Sequence, residues 1–363
     1  MTFHLLACIS SHGYGHFAMT APILNALNQQ PSLKLTIRCE LPEALIKSRV
    51  SGDFDIISES SDFGIVMNSS LDVDLEKSLD AYQDLHADFP SAIEQEKKRL
   101  TALSPDLVLA NIPYVTIIAA KQAGLPVIAY CSLNWADIFK PYYDEDSKVV
   151  EKIYKEMIES YNSADAFVRP QPAMAMPKLS NLKNIGPIAS LGNKCRDQIL
   201  TQFELPKESK LVLVTPGGVA TPVPVNEWPE IPGVIWIVAW DYATERSDII
   251  STTQINNLFN DVLASCDAVI TKPGYGTVTE TVCNGIPALY VLRGDWPEES
   301  FLVEWWCQHG NVLEISREDF FAGNVQLALK TLWQRPVFDP VVATGTQELL
   351  SIVQAYQSNE TTL

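Results

Sequence analysis

Short apolar runs alternate along the chain with longer stretches in which apolar residues recur every three or four positions. The first kind reads as buried strand, the second as helix packed on one face. Phe3–Ile9 is a strand candidate followed by a helical pattern over 17–28. Strands are predicted at 33–39 and 54–58, with a short helix at 41–50 between them. Residues 79–103 read as one long amphipathic helix whose solvated face carries Glu94, Glu96, Lys97, Lys98 and Arg99. Strands at 105–110, 127–131 and 166–168 then alternate with helices at 115–123 and 149–161. Prolines at 170, 172, 177 and 187 stop both helix and sheet, and the predicted linker lies there, with its boundary near Gly186 and Pro187. The alternation resumes with strands at 211–215, 234–240, Ala268–Thr271, 287–292 and 312–315, and helices at 255–266, 277–284, 325–333 and 341–357. Regular strand–helix alternation predicts an α/β protein with parallel sheets, and 363 residues suit two domains of ordinary size.

Composition narrows the function. The net charge of −18 excludes non-specific nucleic-acid binding, which needs clustered Lys and Arg. An anionic ligand must therefore be held by local features such as backbone amides, helix ends and single cations. Seven cysteines without a CxxC pair fit buried thiols in a reducing compartment, and no His or Cys spacing suggests a metal site. The apolar run at the start has no basic residues before it and is too short to span a membrane, so a cytoplasmic protein without an integral membrane segment is expected. Residues 61–78 are polar, acidic and weakly periodic, which suits a variable surface loop.

The stretch 268–302 concentrates the chemistry. After the strand come Lys272, Pro273, Gly274, Tyr275 and Gly276, then a helix, a second strand and an acidic loop. Gly274 and Gly276 lack a Cβ, so backbone can approach a ligand there, and the free amides of the following helix favour an anion. Lys272 adds a positive charge at the mouth. The same residues also admit a structural reading, because Thr277 and Glu280 have the spacing of a capping box.

The run Pro273-Gly274-x-x-Thr277-x-x-Glu280, followed by Gly285-Ile286-Pro287, resembles the nucleotide-sugar-binding segment of GT-B glycosyltransferases, particularly MurG-like enzymes. The resemblance implies that Gly274, Tyr275, Gly276 and Thr277 contact the diphosphate, Glu280 the ribose hydroxyls, and Glu298 and Glu299 the donor sugar. It also implies a contribution from Gly217 and Gly218 at the end of the 211–215 strand. There the chain departs from the pattern, with Thr221-Pro222-Val223-Pro224 where a helix often follows. An acidic pair at Glu298 and Glu299 is expected to favour neutral sugars over uronic acids by charge repulsion.

In the first half, His12-Gly13-Tyr14-Gly15-His16 lies between a strand and a helix. This is similar to the HGxGH loop in the glycosyltransferase-like N-terminal region of L-arabinokinases, as are the segments around Asn111 and Trp135. By resemblance His16 takes the proton from the acceptor hydroxyl, a task suited to imidazole. His12, Gly13, Tyr14 and Trp135 become acceptor-side candidates, with His12 an alternative base. Relatives commonly carry Asp at the position of Asn111, and an amide can orient imidazole but cannot offer imidazolium a full charge. Three alternatives follow: His16 acts unaided, another carboxylate such as Asp137 serves in place of the missing one, or catalysis is weak or absent; Asp137, like Trp135, is otherwise an acceptor-pocket candidate. Core packing is an equally good account of Trp135, and for Trp305 and Trp306 a core helix is a better account than a membrane-facing or dimer patch.

The fold so implied is GT-B, two facing Rossmann-like domains with a cleft between them: an acceptor-side domain over 1–187, a nucleotide-sugar domain over 188–340, and a helix within 341–363 crossing back to the first. The implied activity is metal-independent, inverting transfer of a sugar from a nucleotide donor, UDP by association, to a hydroxyl acceptor, with no further cofactor. A nucleotide-sugar epimerase and a non-catalytic nucleotide-sugar sensor are the alternatives.

Overall fold

The structure is a computed structural model that describes residues 2–30, 32–60, 62–217 and 223–358. The first half runs β1 (Phe3–Ile9), α1 (Gly15–Leu27), β2 (Leu33–Arg38), α2 (Glu43–Arg49), β3 (Asp55–Ile57), α3 (Leu75–Ala87), α4 (Phe89–Leu103), β4 (Leu107–Asn111), α5 (Tyr114–Gln122), β5 (Val127–Tyr130), α6 (Trp135–Phe139), α7 (Lys148–Asn162), β6 (Ala166–Pro170) and β7 (Leu182–Ile185). Its strands form a seven-stranded sheet in the order β3-β2-β1-β4-β5-β6-β7, and each neighbouring pair is parallel.

The second half runs α8 (Arg196–Gln202), β8 (Lys210–Thr215), β9 (Val234–Val238), β10 (Ile249–Ser251), α9 (Phe259–Ser265), β11 (Ala268–Thr271), α10 (Tyr275–Asn284), β12 (Ala288–Tyr290), α11 (Glu299–His309), β13 (Val312–Glu314), α12 (Arg317–Ala322), α13 (Gln326–Gln334) and α14 (Gly345–Gln357). Six strands form a second parallel sheet, β10-β9-β8-β11-β12-β13. The central strands are almost wholly apolar because helices cover both faces: every residue of β4, β5, β9 and β11 is buried, with the polar Asn111 and Thr271 at the carboxyl ends of β4 and β11.

Both sheets reverse strand order at one place, between β1 and β4 in the first and between β8 and β11 in the second. At such a point the loops at the strands' carboxyl ends diverge to opposite sides and leave a crevice. Helices α1 and α10, which begin at these two crevices, pack on each other across the boundary between the sheets. A Cβ on Gly276 would sit 3.3 Å from the Ala18 side chain, so the glycine permits this close approach. Helix α14 returns to the first sheet, packing on α1 and β7 through the buried Leu349, Leu350 and Val353.

Several elements differ from the pattern reading. The single helix expected over 79–103 is two, because Asp88 accepts a hydrogen bond from the Ser91 amide and Pro90 occupies the first turn of α4. Proline suits a helix start and not its interior. Strand β7 lies inside the proline-rich segment read as linker, and pairs with β6 from Phe167–Leu182 to Pro170–Ile185. Helix α10 starts at Tyr275, with Gly274 as its N-cap and no side-chain cap, so Thr277 and Glu280 do not form a capping box. Trp306 is core, and its indole donates to Thr281 Oγ1 at 3.0 Å; Trp305 stacks on His309. Among the described residues no helix is long and apolar enough to cross a membrane.

Candidate active site

The first crevice holds His16 in the opening turn of α1, where Gly13 takes a positive φ of 70° to turn the chain out of β1. Asn111 ends β4 beside it, tied to the loop by a 2.6 Å bond from the Ser10 amide to its carbonyl. The Asn111 side-chain nitrogen donates to Met19 Sδ at 3.3 Å, which leaves its oxygen to accept from His16 Nδ1 at 2.8 Å. With the proton fixed on Nδ1, the Nε2 lone pair is the free end of the ring, and it has no hydrogen-bond partner among the described residues. Burial pushes the imidazole down to about 4, partly offset by the Asn111 bond. His16 is therefore neutral at physiological pH and able to accept a proton.

His12 lies beside it, ring centroids 6.3 Å apart, between two tryptophans: it stacks on Trp296 at 5.7 Å and meets Trp135 edge-on at 5.0 Å. Its Nε2 is buried without a partner, and burial together with His16, Arg293 and Lys272 pushes the ring down to about 3. Tyr14 is 44% exposed at the loop's tip. Trp135 is fully buried, 5.3 Å from the His16 ring, and its indole N–H donates to Asp62 Oδ2 at 2.8 Å.

Asp62 was not among the residues the sequence singled out. Burial raises its carboxyl to about 6 against the pull of hydrogen bonds from Trp135, Ser10 and Ser60. Asp137, expected as a substitute carboxylate for His16, is engaged elsewhere. It accepts from Asn134 Nδ2 at 2.8 Å and from Tyr154 Oη at 3.1 Å, closing the start of α6 and touching neither histidine. Its place in the chain follows from the capping role of Asn134, whose side chain accepts from the Asp137 amide.

The second crevice faces this one. Lys272 follows β11 with its ammonium against the backbone of Gly217, where an added Cβ would lie 3.3 Å from Nζ, and of Gly274, where it would lie 3.5 Å away. Gly217 has φ 106°; Gly218 lies outside the described residues. Lys272 makes no hydrogen bond or ion pair with any described residue, and burial, aided by Arg293, pulls its ammonium down to about 7.

Gly274 is open on the Lys272 side, but Gly276 is buried against α1, and Tyr275 points away from the turn. The Tyr275 hydroxyl accepts from the Ile188 amide at 2.9 Å and donates to the Gln171 carbonyl at 3.1 Å, joining the connection between the sheets to α10. Its side chain is thus an anchor, and a diphosphate contact through it is not what the geometry offers. Thr277 is half-buried on the first turn. Glu280 is buried one turn further on. Its Oε1 accepts from Asn260 Nδ2 at 2.9 Å and lies 3.9 Å from Arg49 of the first half, while Oε2 has no partner among the described residues. Burial raises this carboxyl.

The loop after β12 supplies Arg293, Trp296 and Glu298, and Glu299 opens α11. Glu298 accepts from Ser132 Oγ at 2.6 Å, across the crevice, and from the Trp296 indole at 3.2 Å. Glu299 accepts from the amides of Arg293 and Gly294 at 2.9 and 3.1 Å, closing its own loop. Each of the four oxygens has one such hydrogen bond, which leaves acceptor capacity on both carboxylates. The pair is present where the sequence places it, and both carboxylates are charge partners of Lys272 and Arg293. Among the described residues no group of three or more His, Cys, Asp or Glu side chains is placed to hold a metal ion.

No family model matches the chain. A search of solved structures finds the calicheamicin glycosyltransferase CalG4, with a TM-score of 0.65 at 13% identity over 99% of both chains. The spinosyn rhamnosyltransferase SpnG is also similar, with a TM-score of 0.60 at 12% identity over 98% of this chain and all of that one. The chain has the GT-B fold. The GT-B likeness extends to a Listeria monocytogenes protein described as a UDP-N-acetylglucosamine 2-epimerase, TM-score 0.55 at 12% identity over 99% and 98% of the two chains. By sequence the chain is similar to L-arabinokinase from Arabidopsis thaliana, 22% identical over 319 residues. The match takes in 87% of this chain and 30% of that protein's length.

Proposed function

We propose that this chain is an inverting, metal-independent glycosyltransferase that moves a sugar from a nucleoside-diphosphate donor, a UDP-sugar by analogy, to a hydroxyl-bearing acceptor. The observation that carries the reading is the pairing of two unpartnered groups across the boundary between the sheets: His16 Nε2 at the first switch point and the Lys272 ammonium at the second. The acceptor hydroxyl gives its proton to His16 Nε2 as its oxygen bonds to the anomeric carbon. On the opposite face the bond from that carbon to the diphosphate breaks, and the leaving group keeps the electron pair. Lys272 and the free amides at the start of α10 stabilise that charge. Glu280 Oε2 is the open acceptor for a ribose hydroxyl, with the other oxygen held by Asn260.

The neighbour described as an epimerase supports a second reading, in which the same cleft interconverts sugars on the nucleotide. Supplying nucleotide sugars with and without an acceptor extract, and measuring released nucleoside diphosphate, separates the two. Acceptor-dependent release that falls at least about 100-fold in His16→Ala, with nucleotide binding retained, is the expected result. Sugar interconversion without acceptor would favour the epimerase, and full activity in His16→Ala would remove the proposed base.

A further inference from the structure

Beside His16 lies a row of buried hydroxyls that the reaction above leaves without a task. Thr20, one turn further along α1, donates its hydroxyl to the His16 carbonyl at 2.7 Å. The same Thr20 oxygen meets the hydroxyl of Tyr130, the last residue of β5, at 2.5 Å. Tyr130 in turn has the Asn111 side chain as a hydrogen-bond partner. Thr20, Tyr130, Asn111 and Met19 are all buried, none more than 2% exposed, so their polar atoms must satisfy one another.

The protons give this row a direction. A hydroxyl has one proton to give and lone pairs with which to receive. The Thr20 proton is spent on the His16 carbonyl, so the contact between Thr20 and Tyr130 uses the phenolic proton. The Tyr130 oxygen is then an acceptor only where it faces Asn111, and what it can accept is an amide N–H. Met19 Sδ, 3.3 Å from Asn111 Nδ2, asks for the same end of the amide. Both demands turn Oδ1 towards His16 Nδ1 at 2.8 Å, which puts the ring proton on Nδ1 and the lone pair on Nε2. Cys131 Sγ, 3.7 Å from Nδ1, is a longer and weaker partner of the same ring atom. An ionised carboxylate at 111 would have no proton for either Tyr130 or Met19, so the amide, and not aspartate, completes the network.

We infer that Thr20 and Tyr130 are positioning residues for the base: their hydroxyls, donating in the order Asn111 to Tyr130 to Thr20 to the His16 carbonyl, select the face of the amide and through it the His16 tautomer. This rests on the reading of His16 as the base and adds the device that keeps its lone pair on Nε2.

The test is nitrogen NMR of the whole chain labelled at its five histidines, with the His16 signals identified by their loss in His16→Ala. It is paired with the acceptor-dependent release of nucleoside diphosphate described above, for the parent, Thr20→Val and Thr20→Ser. The parent is expected to show His16 protonated at Nδ1 and bare at Nε2 at neutral pH. Thr20→Val keeps the shape but takes away the acceptor of the Tyr130 proton. That proton then turns to Asn111, the amide reverses, and the His16 proton moves to Nε2. Release should fall at least about tenfold while UDP affinity is unchanged. Thr20→Ser, which keeps the hydroxyl, should hold the parent tautomer and most of the activity. A parent ring protonated at Nε2 overturns the inference, and so does a Thr20→Val variant with the parent tautomer, whatever its activity. Should Thr20→Val fail to fold, Tyr130→Phe takes its place: the amide then answers to Met19 alone and both tautomers are expected, whereas a ring wholly in the parent form overturns the inference. Full release in His16→Ala is a different failure, that of the base itself, and would leave Thr20 and Tyr130 nothing to position.

Discussion

At the scale of single residues, the Asn111–His16 pair sets the pH at which a base of this kind works. Burial holds His16 near 4, and the amide that orients it offers the imidazolium no charge. A base must be unprotonated to act, so kcat/KM is expected to stay flat through neutrality and to fall only as the pH drops towards about 4. Asn111→Asp would place a carboxylate 2.8 Å from Nδ1, favour the charged ring, and move that acidic limb upward by about one unit or more. A pH–rate profile of the two proteins checks this, and an unmoved limb would mean that another group titrates. The histidines and Asn111 were legible in the sequence because the Gly-His loop and the strand ends carry local patterns. Asp62, Arg293 and Trp296 were not. Asp62 and Trp296 owe their environment to a partner far along the chain, Asp62 to Trp135 and Trp296 to His12, and no local spacing encodes such a meeting.

At the scale of elements, the apolar runs located the central strands of both sheets, since strands covered on both faces are continuously apolar. Strands β7 and β10 escaped because they are short edge strands, one of them bracketed by prolines, and take their structure from pairing with β6 and β9. The break at Pro90 escaped because the apolar period continues across it. The 61–78 segment, read as a surface loop, is partly that and partly a tether. Its Leu71 is 2% exposed and belongs to the apolar cluster of the second sheet, and Asp72 pairs with Arg317 at 2.9 Å. The two contacts differ in weight. Asp72 and Arg317 are 55% and 40% exposed, so their pair contributes about 1 kcal/mol at most. Leu71→Ala, which removes buried apolar volume, should destabilise by about 2 kcal/mol or more, while Asp72→Ala changes little. Denaturant midpoints of the two variants, with the slope held fixed, would show the ranking or refute it.

At the scale of the whole molecule, side-chain contacts bridge the two halves. Arg49 reaches from α2 to Glu280 at 3.9 Å, to Asn260 at 3.3 Å and over the Phe259 ring at 4.8 Å, near the carboxylate proposed for the ribose. A nucleotide entering there competes with this bridge. Arg49→Ala, losing roughly 1 kcal/mol of cation–ring attraction, should open the cleft more often and raise the nucleotide association rate by about fivefold. Stopped-flow binding checks the rate; a rate that falls would assign Arg49 to the ligand instead.

The return of α14 to the first sheet has a consequence for how the protein is made. Gly345 donates its amide to the Pro187 carbonyl at 3.0 Å, and a Cβ on either Gly345 or Gly186 would collide with the opposing segment, so the two crossings of the chain are laid tightly side by side. During synthesis the first seven strands emerge early, but the helix that covers α1 beside β7 arrives only after the second sheet is complete. The ribosome therefore delivers the first domain in two instalments, and its exposed apolar flank must wait, shielded or at risk, until the second has already folded.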